Sequence, residues 1–230
     1  MTPPPPGPTL PEELLLLALD PQRGRPYCRN RFLEYATAGA ALAELELQGW
    51  ITEERGQAQL VKPLEPPDPL LATLTRSLPA PGKGRRGSGV SATRLVRQAG
   101  RQVAGLYLDS LVQRGVLRRE THRFLGLLPY HRHPVVAKDL AAQVRERFAA
   151  AERAGFPDHR SRALAALVSA AGLSRFVGTD RTSRAAMRHL IREQWPAHAV
   201  HRNVRRDRAN QSGGGQRVRR AARGTTVNGA

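Results

Sequence analysis

A chain of 230 residues, 40% hydrophobic but only 5% aromatic, carries enough leucine, alanine and valine for one ordinary core, which excludes disorder throughout. The formal net charge is +18, and the only lysines are Lys62, Lys83 and Lys138, so 34 of the 37 basic residues are arginines; guanidiniums stay charged and fork onto phosphate oxygens, which points to an anionic partner. Cys28 is the only cysteine, which excludes a disulfide framework and a cysteine-based zinc site and fits a reducing compartment.

Residues 1–8 are a proline run and are expected to form a disordered arm with no basic stretch of the signal-peptide kind. Thr9-x-x-Glu12 reads as a capping box with Pro11 in the first turn. The helix it opens carries Leu14 to Leu17 and Leu19; being apolar nearly all round, it should be buried, and it is far too short to span a bilayer. A second helix is expected from about Asn30 to Gln48, closed by Gly49. Two short strands, 50–52 and 59–61, flank Glu53–Gln57. After a linker over Pro63–Pro69, Asp68 and Leu70–Leu78 suggest a short helix, and Pro79–Gly89 a Gly/Pro/basic loop.

Ser91 is placed to cap a long helix reaching Arg114, with Gly115 closing it. Val116-Leu117 and Phe124-Leu125 flank Arg118–Arg123, with Leu127-Leu128 continuing the second arm, and read as a second hairpin ending at His133-Pro134. Helices over about 139–153, 160–171 and 182–194 follow. Residues 203–230 are rich in arginine and glycine, show no apolar period and are expected to be a disordered basic tail.

The positive charge is concentrated. Between Lys83 and Arg123 ten basic residues meet two acids, and in residues 203–230 seven arginines meet only Asp207. Arg94, Arg97 and Arg101 stand at i, i+3 and i+7, so they share one helix face that can hold phosphate by charge-assisted hydrogen bonds. The same spacing reads equally as the solvated side of an amphipathic helix. Motifs for catalysis are missing: neither His131-x-His133 nor His198-x-x-His201 has an acid at ligand spacing, and no nucleophile elbow, phosphate loop or dinucleotide fingerprint occurs. No enzyme activity, metal or cofactor is therefore expected.

Several segments in order resemble the Golgi phosphoprotein 3-like family, including its bacterial members. They are Leu10-Pro11-Glu12-Glu13-Leu14 to Leu19, the Gly39-x-x-Leu42-x-Glu44-Leu45-x-Leu47-x-Gly49 helix, Asp68-Pro69-Leu70-Leu71, Leu111-Val112-x-x-Gly115-Val116-Leu117, the hairpin from Phe124 to His133-Pro134, and Arg162-x-Leu164-Ala165-x-Leu167. The resemblance spans roughly residues 9–195. It implies a single mainly α domain, a helical bundle with amphipathic outer helices and a short β-hairpin whose apolar tip enters a membrane. It also implies binding of phosphatidylinositol 4-phosphate by a tryptophan and several arginines, and a role as an adaptor for glycosyltransferases. Arg101 matches one headgroup arginine; a second falls at Ala104, a third at Ala38, and the tryptophan at Arg29. The hairpin tip, Leu125-Gly126-Leu127-Leu128-Pro129-Tyr130-His131, keeps apolar residues and a tyrosine suited to an interface.

The sequence therefore reads as a peripheral membrane protein with a folded domain over residues 9–202, on the inner face of a membrane in the cytoplasm. Arg101, Arg97, Arg94 and Arg29 would bind an anionic phospholipid headgroup resembling phosphatidylinositol 4-phosphate, while Leu127, Leu128 and Tyr130 insert. Anionic membrane lipids are the expected partners, with a protein cargo and a second copy of the chain beside them. The alternative is a winged-helix-like nucleic-acid-binding protein, because a helix, a glycine stop and a basic hairpin also describe a recognition helix and its wing.

Overall fold

The computed structural model describes residues 7–62, 64–78, 89–124, 127–177 and 180–223, with residues 124, 128 and 212–223 through their backbone alone. Lys83, Arg85 and Arg86, most of the expected proline arm and residues 224–230 lie outside these. The fold is mainly α. At its centre is α1 (Leu10–Ala18), every residue of which is buried. Around it pack α2 (Asn30–Leu47), α4 (Ala92–Gln113), α5 (Lys138–Arg153) and α6 (His159–Ala171). Outside these lie α3 (Pro69–Thr75), α7 (Arg181–Glu193) and α8 (Trp195–Arg223). No helix among the described residues is long and apolar enough to cross a membrane.

A helix that is apolar all round can be buried only if its first turn, with its unpaired N–H groups, finds partners. Glu12 reaches back to the Thr9 N–H at 2.9 Å, the expected carboxylate half of the capping box, and Glu44 of α2 accepts the Leu10 N–H at 2.7 Å. Glu12, Glu13 and Glu44 are all buried. Each meets a guanidinium from another element: Glu12 with Arg114 at 2.5 Å, Glu13 with Arg147 at 2.9 Å, and Glu44 with Arg160 at 3.0 Å. Burial pushes the Glu13 carboxyl up, against the pull of Arg160 and Arg147. Negative charge at the positive end of α1 is favourable in itself. Three arginines of the chain's excess are thus spent on the interior and offer nothing to an outside partner.

Two small antiparallel sheets decorate the bundle. Strands β1 (Ile51–Glu54) and β2 (Gln57–Leu60) pair from Ile51↔Leu60 to Glu54↔Gln57, and β3 (Val90–Ser91) adds to β2. The second sheet is the hairpin of β4 (Glu120–Phe124) and β5 (Leu128–Arg132). Its register corrects the sequence reading, which set Arg118–Arg123 between the arms. Residues 120–124 are themselves a strand, and the reversal falls at 125–127. Cross-strand pairs explain the difference: His122 faces Tyr130 and the rings stack at 5.5 Å, and Glu120 faces Arg132. Val116 and Leu117, expected as an arm, are buried below the hairpin base, where Leu117 bridges to Val135.

The boundary at residue 203 is also corrected. Helix α8 runs through Arg223, and Asn203 and Val204 are each only 1% exposed. The Asn203 amide donates to the Thr93 carbonyl at 2.9 Å, and the Tyr35 hydroxyl donates to Asp207 at 3.0 Å. A helix face held by one valine and two hydrogen-bonding side chains leaves no hydrophobic period to read.

Candidate functional site

The loop between α1 and α2 is knit tightly. Asp20 accepts the N–H groups of Gln22 and Arg23, and Leu19 bridges to Pro26. The same loop is stitched to the hairpin base: the His133 N–H donates to the Gly24 carbonyl and the Val135 N–H to that of Pro21, both at 2.9 Å. These bonds set the loop and β5 as two walls of a groove, with the first turn of α2 and residues 101–109 of α4 completing it. The groove encloses about 920 Å³.

Five arginines line it: Arg25 and Arg29 from the loop, Arg101 from α4, Arg119 from the approach to β4, and Arg132 from β5. Two carboxylates, Glu34 and Asp109, stand against them; Arg31 pairs with Glu34 at 2.9 Å, and Arg119 contacts Asp109. Arg132 donates to the Tyr130 hydroxyl at 2.8 Å, while its Nε is buried with no hydrogen-bond partner. A buried donor without an acceptor is costly unless an anion or water completes it. The arrangement can take a phosphate-sized anion in a bed of charge-assisted hydrogen bonds.

Two histidines close the β5 end of the groove. His133 is pushed down to about 4 by burial, then by Arg119 and His131. Because the folded-state value lies below the ordinary 6.5, the unfolded chain takes up the proton first as pH falls. The stabilisation is complete above pH 6.5 and is lost as pH falls toward 4. We expect about 1–2 kcal/mol of stability to disappear over that interval, less than the whole shift because the ring is partly solvated. A denaturation series from pH 7 to 4 should show a shallower pH slope in His133→Asn; an identical slope would assign the loss to the carboxylates.

The expected headgroup residues part company in space. Arg29 and Arg101 meet in the groove. Arg97 and Arg94 sit on the same stripe of α4, one and two turns nearer its N-terminus; neither lines the groove, and Arg94 instead borders a depression with Gln57 and Ser91. Ala104 lines the groove where the resemblance places a second arginine, and Ala38 is wholly buried. Arg25, Arg119 and Arg132 are groove residues that the sequence reading did not select. They come from a loop and a hairpin, where charge spacing carries no signal.

The hairpin residues divide as well. Leu127 stands at the turn and is 84% exposed. Leu128 opens β5, and its side chain lies outside what is described. Tyr130, expected at the inserting tip, is instead two residues into the strand, stacked on His122 and lining the groove. Cys28 lines the groove too, and burial pushes its thiol up to about 12, against the weaker pull of Arg208, which leaves it a poor nucleophile.

A family model described as Golgi phosphoprotein 3 (GPP34) matches residues 10–206, from the start of α1 into α8, and so includes every wall of the groove. No curated protein matches the chain.

Proposed function

The chain belongs to the Golgi phosphoprotein 3 family, and from that premise we propose that it is a peripheral membrane protein that binds anionic phospholipid headgroups. The groove takes the headgroup phosphate, of the phosphatidylinositol 4-phosphate kind, and the hairpin turn enters the lipid. The protein acts by binding, as an adaptor, with no catalytic step. The observation that carries this reading is the convergence of Arg25, Arg29, Arg101, Arg119 and Arg132 on one groove, one wall of which is the hairpin that ends in exposed Leu127.

The magnitudes suffice. Each arginine near an anionic leaflet contributes about 1 kcal/mol, and burying a leucine side chain contributes about 2 kcal/mol. Together these hold a protein on a membrane reversibly. Co-sedimentation with neutral, acidic and phosphoinositide-containing vesicles tests the reading. Binding should require acidic lipid; equal binding to neutral vesicles, or none to acidic ones, would sink it. Leu127→Glu should weaken binding to acidic vesicles about thirtyfold, by losing the insertion and adding like charge. An unchanged affinity would remove the hairpin from the interface.

Duplex DNA is the competing polyanion, and the packing argues against it. Helix α4 buries residues along its length against α2, α3 and α8, so it does not stand free as a recognition helix. Nanomolar binding to duplex DNA with a steep salt dependence would overturn the lipid reading.

A further inference from the structure

A second cavity, of about 740 Å³, lies on the other side of the Cys28-Arg29 segment from the groove. It is built where the loop before α2, the C-terminal end of α6 and the middle of α8 come together. Arg29, Arg175 and Arg208 line it, with Phe32 and Tyr27 as its apolar surface, and no carboxylate is among its lining residues. Arg29 and Arg208 both sit over the Phe32 ring, 5.8 and 5.3 Å from its centroid. Arg175 lies 4.8 Å over Phe176, whose ring stacks on Tyr27 at 4.8 Å. The aromatic faces hold the guanidinium planes in place and leave their N–H edges for an acceptor. Two guanidiniums on one ring, with a third beside them, repel each other unless an anion shares their charge.

We propose that this cavity is a second phosphate-binding site, sharing Cys28 and Arg29 with the groove and otherwise made of different residues. Its ligand is a phosphate group on a lipid headgroup or on a soluble molecule, and both present the same tetrahedral oxygens to the three guanidiniums. The site does not depend on the membrane reading, since its residues belong to α6 and α8 rather than to the hairpin.

The test follows the side-chain Nε–H signals of Arg175 and Arg208 by NMR in the full chain, with inorganic phosphate as the probe at constant ionic strength. Saturable shifts at both arginines are expected. They should persist in Arg101→Gln/Arg119→Gln, which alters the groove alone. In Arg175→Gln the Arg208 signal should need about tenfold more phosphate. Arg175 is exposed, so its replacement leaves the packing intact; Arg208→Gln, checked for an unchanged unfolding midpoint, serves as the second variant. Shifts that track ionic strength without saturating, or that vanish in the groove variant, would overturn the site. Vesicles of phosphatidylglycerol then identify the source. Given saturable phosphate binding, a tenfold loss of vesicle binding in Arg175→Gln upholds a lipid headgroup, and unchanged vesicle binding upholds a soluble phosphate. A chain that binds no vesicle at all leaves the phosphate titration to decide the site by itself.

Discussion

Replacing Arg25, Arg29 and Arg101 together by glutamine should weaken binding to acidic vesicles about a hundredfold at low salt, from roughly 1 kcal/mol for each charge removed. All three side chains are exposed and belong to the groove. The unfolding midpoint should therefore stay where it is, and the loss should be one of binding alone. Raising the salt shrinks the difference between wild type and variant, because the Debye length falls from about 8 Å at physiological ionic strength toward 3 Å. Arg94→Gln/Arg97→Gln is the matched comparison. Arg94 stands seven residues from Arg101 along α4, which is about 10 Å of helix, so this pair should cost no more than about threefold. If the two variants lose affinity equally, the groove is not a site and the whole basic face acts as a diffuse patch. If neither loses affinity, the membrane reading fails.

Gly24→Ala should be the most damaging single substitution at the groove, lowering stability by about 3 kcal/mol or more. Gly24 has φ +62°, a conformation that costs an alanine about 1 kcal/mol by itself. The larger cost is steric. A Cβ there would lie 2.2 Å from the Pro134 nitrogen and 2.4 Å from the His133 carbonyl carbon. These are backbone atoms, and no rotamer change relieves the overlap. The loop and the hairpin base must separate, which breaks the bonds from His133 to Gly24 and from Val135 to Pro21. The groove walls then lose their register, so vesicle binding should fall along with the unfolding midpoint. Gly115→Ala separates the two causes. Gly115 has φ +71° but nothing within 4 Å of the added carbon, so only the backbone strain of about 1 kcal/mol applies. Equal effects at the two positions would mean that the loop yields easily and that the stitching is weak.

Most helices were legible because their signals are local. The leucine run after Thr9-x-x-Glu12 identified α1 as buried, and Gly49, Gly115 and Gly172 marked the ends of α2, α4 and α6 at residues 47, 113 and 171. The second hairpin was legible as a feature but not in its register. Apolar doublets at 116–117 and 124–125 suggested the arms, whereas the real strands are paired through polar and aromatic residues. The end of α8 was illegible for a related reason: Asn203 and Asp207 secure it by hydrogen bonds to Thr93 and Tyr35, more than a hundred residues away.

The sequence by itself determined the mainly helical fold, the burial of α1 and the excess of arginine. It also brought Arg29 and Arg101 forward as site residues, the one by its place in the family pattern and the other by matching an arginine there. Only the tertiary structure decided what each arginine is for. Arg114, Arg147 and Arg160 neutralise Glu12, Glu13 and Glu44 in the interior, across separations of 102, 134 and 116 residues. Arg25, Arg119 and Arg132 join Arg29 and Arg101 at the groove, while Arg94 and Arg97 do not. Helix period and capping act over a few residues, so they can be read along the chain. An ion pair or an anion-binding groove depends on which elements the core brings together, and the charge pattern of a single segment carries no record of that.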